Sequence, residues 1–461
     1  MIYPSFLDMV VTIKNFIKRQ PMRTLFFIVI AWVVLTIVNY ILCKVVLNLQ
    51  NPCVWFPISI FSGPQFHLSG LPYIILFLLI LIIALKYHSK LNVVHLWIIG
   101  VFLIMIGNLG QGNIDTAFFQ PFYKSGIQYY HDAIRIDSWH EWLGTYNENQ
   151  ANFLTHTRTH PPFAVLTHYA LLEIFNGNLP LVSFSLMLLS SISIVLIWCI
   201  FYVLDIGKER RNLITLLFCV IPAINIYHAV SLDAFIAMFC ALFLVGIVSL
   251  SKHGVGIVSV GAFVFGFVIT ALLTFGGIFL IGVALLVGLR EYMVRKKGEI
   301  LITLSVTFLL FVFITVYMNS FFHFNYFQSF LTASHLENPE GFRGFVSPLA
   351  YGVTIVENIS EIALFFSLGC LATLFHRNTL QISLVNYTDT AIGIMLAGII
   401  SLGALFLAGA FRTGETARVC QFIYPYLFLA FIRVEKQVII DLTIIAGVQT
   451  AVMQLCGNYF W

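Results

Sequence analysis

Charge is scarce in this chain: 10% of its 461 residues are Asp, Glu, Lys or Arg, while 60% are hydrophobic. So few ionisable groups cannot dress a solvated surface, which excludes a soluble protein. The eight cysteines contain no CxxC pair and sit mostly inside apolar runs, as small buried hydrophobes do. Cys53, Cys420 and Cys456 fall nearest the outer surface and are the redox candidates. There is no HExxH, no P-loop and no stretch suited to a soluble nucleotide-binding domain. The Leu/Ile/Phe runs lack period-two alternation, which excludes a transmembrane barrel. No internal repeat is visible, which weighs against inverted-repeat transporters. Residues 1–23 carry Lys14, Lys18, Arg19 and Arg23 without an apolar stretch ahead of a cleavage site, so no cleavable signal is expected.

What is present is a series of apolar runs of about 20 residues, the length a helix needs to cross hydrocarbon. Inside lipid every backbone group must be bonded internally, so helices are expected throughout. The expected fold is an all-α polytopic membrane protein, one transmembrane domain over 1–461. Residues 1–23 read as a cytoplasmic interfacial helix, with a disordered tail as the alternative. The run 162–175 is short and interrupted by His168 and Glu173. Reading it as an interfacial helix places 205–211 (DIGKERR), 251–254, 290–299, 376–377 and 433–436 all on the cytoplasmic side, as basic short connections should be. That choice gives roughly thirteen crossings with the amino terminus inside. The net charge of +4 belongs to those connections and is no argument for nucleic acid. Three polar segments remain outside: 110–178, 320–350 and 411–419.

The first of these gathers five histidines with several carboxylates, a concentration that points to chemistry. Asp132, in YYHDAIRI on a short helix, and Asp115, just past an apolar run, are candidate general bases. The segment THTRTHPPF carries His156, Arg158 and His160 ahead of a proline pair that opens a helix. A fixed Arg and His there suit a phosphate leaving group. The HxxxH spacing also admits a divalent metal, although Pro161 removes the helical geometry such a pair uses. Arg343 lies in the second outer segment, and Arg412, Glu415 and Arg418 in or beside the third. Single arginines at helix ends can serve as membrane anchors; several converging on a carboxylate do more than that. Tyr130, His131 and Asp233 are further candidates, and Glu357 and Glu361 are ionisable groups inside an apolar run.

Taken in order, these features resemble the GT-C superfamily of polytopic glycosyltransferases, in the branch of protein O-mannosyltransferases and lipid A aminoarabinose transferases. An outer acidic residue comes first, then His160-Pro161-Pro162 opening an interfacial helix, then the basic turn 207–211. A proline-containing span leads to Asp233, and GETARVCQFIYPY at 414–426 closes the series. The resemblance covers 94–290 well, 330–426 in part, and the first two spans poorly. It implies inverting transfer of a sugar from a polyprenyl-phosphate-linked donor to a hydroxyl of a lipid, glycan or protein. An outer-loop aspartate would act as base, with Arg and His on the departing phosphate, at the outer face of a prokaryotic plasma membrane. It requires no cofactor. The family's Asp-Glu pair is missing, since Thr116 follows Asp115 and Ala133 follows Asp132. Asp132 stands 28 positions before His160, close to the family's separation, and is taken first; Asp115 is the alternative. The resemblance assigns the donor phosphate to His160, Arg158, Arg418, Arg343 and Arg412. Two other functions stay open: a secondary transporter or lipid flippase, and a membrane-embedded metal-dependent hydrolase or acyltransferase.

Overall fold

The computed structural model describes residues 20–46, 66–374, 389–411, 415–457 and 459. The interfacial segment expected before residue 20, Cys53, the basic pair 376–377 and Arg412 lie outside them. The described residues are helical, with no strand among them.

The long helices in chain order are α1 (Gln20–Ile41), α2 (Leu71–Tyr87), α3 (Val93–Leu109), α4 (Phe163–Ile174), α5 (Leu179–Val203), α6 (Lys208–Val220) and α7 (Pro222–Tyr227). After them come α8 (Leu232–His253), α9 (Ile257–Leu273), α10 (Ile278–Arg295), α11 (Glu299–Phe322), α12 (Tyr326–Glu337), α13 (Pro348–Phe365), α14 (Leu368–Leu374), α15 (Thr390–Leu407) and α16 (Lys436–Cys456). Their starts follow local chemistry. Asn178, Ser231, Asn325 and Asp389 each accept a backbone N–H of the first turn, and Pro180, Pro222 and Pro348 occupy first-turn positions.

The expected thirteen crossings are not what forms. Seven helices among the described residues are long and apolar enough to span a bilayer, or eight if one sharply bent pair counts as a single span. The other runs are too short or are broken, for identifiable reasons. The run at 212–228 breaks at Pro222, which removes an N–H and forces Ile221 into an extended conformation (ψ 144°). The run at 420–433 forms only short 3₁₀ and α turns. Helices α3 and α9 reach 17 residues each. Helices α13 and α14 meet at 103°, around Ser367, which is left-handed (φ 85°). Gln449 on α16 repairs the break. Its amide accepts the Leu368 N–H at 3.0 Å and donates to the Leu364 carbonyl at 2.8 Å.

Packing inside the bundle relies on glycine where two helices approach closely. A β-carbon at Gly246 of α8 would lie 2.4 Å from the Phe263 nitrogen of α9, and one at Gly266 would lie 2.4 Å from the Phe243 nitrogen. A buried amide chain ties α3, α7 and α16 together. Asn108 donates to the Asn225 carbonyl (2.6 Å), Gln111 to Gln454 (2.7 Å) and Gln454 to Asn225 Oδ1 (3.0 Å).

The two ends of the bundle differ chemically. At one end the basic connections meet: Lys252 pairs with Asp205 at 3.0 Å, Lys436 with Glu209, and Arg433 with Asp389. Arg210 donates there to the Ile432 carbonyl, and Arg295 to Thr390. The opposite end carries the polar segment 110–178 folded against 325–329. Asn147 and Asn325 exchange two hydrogen bonds, and Gln150 reaches the Ser329 carbonyl at 2.9 Å.

Candidate functional site

At that polar end an arginine is held between two carboxylates contributed by distant parts of the chain. Ser231 caps α8, its hydroxyl accepting the Asp233 N–H at 3.0 Å, which seats Asp233 in the first turn. The chain returns at Glu415, which is left-handed (φ 57°) and begins a short helix, Thr416–Val419. That turn aims the Arg418 guanidinium at both carboxylates: Nε lies 3.0 Å from Asp233, and the Glu415 carboxylate is in direct contact. The arginine side chain is 8% exposed, Asp233 13% and Glu415 10%. A non-glycine residue in the left-handed region needs support. It comes from α13, where Glu361 accepts the Thr416 N–H at 3.2 Å and Asn358 accepts the Thr416 hydroxyl at 2.6 Å. On the other flank Arg343 donates to the carbonyls of Gly409 (2.6 Å) and Phe411 (2.9 Å).

Burial sets the protonation of this group. It pushes the Glu415 carboxyl up to about 7, with Arg418 opposing and Asp233 adding to the rise. Arg418 stays charged, because the two carboxylates outweigh the effect of its own burial.

The polar loop supplies the wall. Tyr129 is buried, and its ring stacks on His168 at 5.5 Å, meets His160 edge-on at 5.4 Å and lies 5.6 Å from His156. Tyr146 fixes the histidine segment from below, its hydroxyl donating to the carbonyls of Thr157 and His160, both at 2.7 Å. Burial lowers all three histidines: His168 to about 4, His156 well below its ordinary value with Arg418 adding to the fall, and His160 less because Asp233 opposes. They are neutral imidazoles at pH 7. A cleft of about 410 Å³, open solvent included, is lined by Phe122, Tyr129, Tyr130, His168, Asp233 and Arg418 among others.

The two carboxylates taken first from the sequence sit apart from this cleft. One Asp132 oxygen accepts the Leu154 N–H at 3.1 Å and the other lies 3.8 Å from Arg135, so Asp132 braces the loop. Asp115 is bonded by Gln120 (2.9 Å) and the Tyr123 hydroxyl (2.8 Å). Neither lines the cleft. The structure therefore gathers Asp233, Glu415, Arg418, Tyr130, His156 and His160 of the expected candidates, and uses Arg343 to tie down a neighbouring segment. Arg158 follows His156 in one short helix, with its Nε buried and without a partner among the described residues. His131 flanks the wall through Tyr130 at 5.7 Å. Cys420, expected near the surface, is fully buried. Tyr129 read only as an apolar-face residue of a short helix, and His168 only as a polar interruption of the run 162–175, so neither was a site candidate. Among the described residues no three His, Cys, Asp or Glu side chains group as a metal site.

No family model, curated protein or solved structure matches the chain.

Proposed function

We propose that this chain is an inverting glycosyltransferase that takes a sugar from a polyprenyl-phosphate-linked donor. The observation that carries the reading is the buried Asp233–Arg418–Glu415 group opening onto an aromatic cleft, in a multi-pass helical membrane protein. In this reading Asp233 takes the proton of the acceptor hydroxyl as its oxygen bonds to the anomeric carbon. The bond from that carbon to the phosphate oxygen breaks, and the lipid phosphate leaves with the electron pair. Arg418 and the Ser231 hydroxyl orient the base, and Arg418 is already matched by two carboxylates. The cation proposed to meet the phosphate is accordingly on the neighbouring loop, Arg158, with His160 beside it as a neutral hydrogen-bonding group. Asp132 takes second place as base because both its oxygens are engaged. Basic connections collect on the cytoplasmic side of membranes. The cleft, at the opposite end, is thus proposed to face outward from a prokaryotic plasma membrane, toward a lipid, glycan or protein acceptor.

The test is purified protein in nanodiscs with a labelled polyprenyl-phosphate-linked hexose and lipid, glycan and peptide hydroxyl acceptors, following release of free polyprenyl phosphate. Asp233→Asn should lower release by about 10²–10⁴-fold, the usual share of a general base, while Asp132→Asn keeps most of it. Full activity in Asp233→Asn removes its role as base, and no release from any such donor by the unaltered protein ends the reading.

One observation favours a second reading, a secondary transporter or flippase. The α13–α14 break lies in a helix bearing the buried Glu357 and Glu361, and broken helices with buried ionisable groups are a transporter device. Solute uptake into proteoliposomes, with no sugar transfer, decides for it.

A further inference from the structure

The turn joining α5 to α6, DIGKERR at 205–211, spends some of its charges on the protein and leaves others over. Its acids are committed to distant segments: Asp205 pairs with Lys252 at 3.0 Å, and Glu209 with Lys436. Arg210 donates to the Ile432 carbonyl at 2.9 Å. Lys208 and Arg211 remain, one turn apart on the same face of α6. Neither has a carboxylate partner among the described residues.

Arg211 is 9% exposed, and a cation so enclosed is ordinarily paired. Its guanidinium donates to the Ile206 carbonyl at 3.0 Å, while Nε has no partner among the described residues. The group lies 4.0 Å from the centre of the Trp198 ring and 5.1 Å from that of Tyr202, and the two rings stack at 5.5 Å and 6°. A guanidinium held on aromatic faces keeps its charge and its edge donors for an anion. Gly207, at the head of α6, offers no side-chain cap to the first turn, whose N–H groups also favour negative charge.

The surroundings decide what kind of anion fits. Trp198 and Tyr202 close the end of α5, which is long and apolar enough to span a bilayer, and such rings at the end of a span mark the headgroup level. Tyr202 is 60% exposed, and Leu188 and Leu189 of the same helix are exposed too. Apolar surface therefore leads away from the cations along the span. Asn212, next to Arg211, donates to the carbonyls of His88 (2.8 Å) and Leu91 (3.0 Å) and accepts the Trp198 indole N–H (3.0 Å). Those bonds dock the turn bearing Lys90 against the same helix start.

We propose that Lys208 and Arg211, backed by the Trp198–Tyr202 stack, bind the headgroup phosphate of an anionic phospholipid. The lipid supplies the negative charge that Arg211 lacks, and its acyl chains run along the exposed face of α5. The site lies at the opposite end of the bundle from the Arg418 cleft and does not depend on sugar transfer.

The test titrates the full chain in detergent with phosphatidylglycerol, and in parallel with phosphatidylcholine, reading bound lipid by native mass spectrometry. Phosphatidylglycerol should bind more tightly than phosphatidylcholine, and Arg211→Gln and Lys208→Gln should each weaken it by about fivefold, the share of one cation near a charged bilayer surface. Lys296→Gln is the control, an exposed lysine over the Tyr292 ring in a different basic connection, and should leave binding unchanged. Equal affinity for the two lipids overturns the proposal, as does a Lys296→Gln loss as large as the others, which would mean diffuse attraction to a basic end. Glycerol phosphate binding as tightly as the lipid marks a site for soluble anions and also overturns it. Should Arg211→Gln not accumulate, Lys208→Gln, exposed on the same face, decides in its place.

Discussion

Glu415 gives the sharpest test of the cluster's electrostatics. Its folded-state value of about 7 lies above the ordinary 4.5 because burial penalises the carboxylate more than Arg418 rewards it. A proton held more tightly in the folded state makes folding less favourable as pH rises. The contribution is fully present below pH 4.5, falls between 4.5 and 7, and is gone above 7. The difference between the two values corresponds to about 3 kcal/mol. Glu415→Gln imitates the protonated form and removes that dependence, leaving every other titrating group unchanged. Thermal unfolding of both proteins in a non-ionic detergent, from about pH 4.5 to about pH 8, should give near-equal stability at the acid end. The gap should then open in the variant's favour by about 3 kcal/mol, several degrees of melting temperature. Parallel curves, or a wild type that gains on the variant as pH rises, refute the argument, because the ion pair with Arg418 would then outweigh the burial of the carboxylate.

Two further predictions concern the frame that holds the site. Gly246→Ala places a methyl 2.4 Å from the Phe263 backbone nitrogen and should cost about 1–3 kcal/mol in thermal unfolding; Gly261→Ala, which meets nothing within 4 Å on the same helix pair, should cost far less. Gln449→Leu removes the acceptor of the Leu368 N–H at the α13–α14 break, while the Leu364 carbonyl keeps the Ser367 N–H, for a cost of about 1–3 kcal/mol. Amide hydrogen exchange at Leu368 should accelerate in that variant, and an unchanged rate would mean that another group holds the bend.

Much of the local structure was legible before any coordinates. The Pro161–Pro162 pair does open a 12-residue helix, Phe163–Ile174, and YYHDA does form a short one at Tyr129–Ala133. The basic connections do collect at one end, where water or headgroups can solvate exposed charges such as those of Lys252–Asp205 and Lys436–Glu209. The span count was misread because hydropathy averages over a window and cannot register a single interruption. Pro222 and Ser367 each break a run whose mean composition looks continuous.

Composition and periodicity by themselves determined that this chain is helical, apolar and multi-pass, with most of its ionisable groups outside the apolar runs, because those properties follow from how each residue partitions between water and lipid. Which carboxylate meets which arginine was decided only by tertiary structure. Asp233, Glu361 and Arg418 come from three separate helices, and their meeting depends on α8 and α13 each packing against the short helix Thr416–Val419 and on one left-handed residue, Glu415. Asp132 is taken first in sequence with Asp115 as the alternative, but a backbone N–H and a tyrosine hydroxyl claim them once the loop folds. A carboxylate's availability is set by what surrounds it, and those neighbours are fixed by long-range packing.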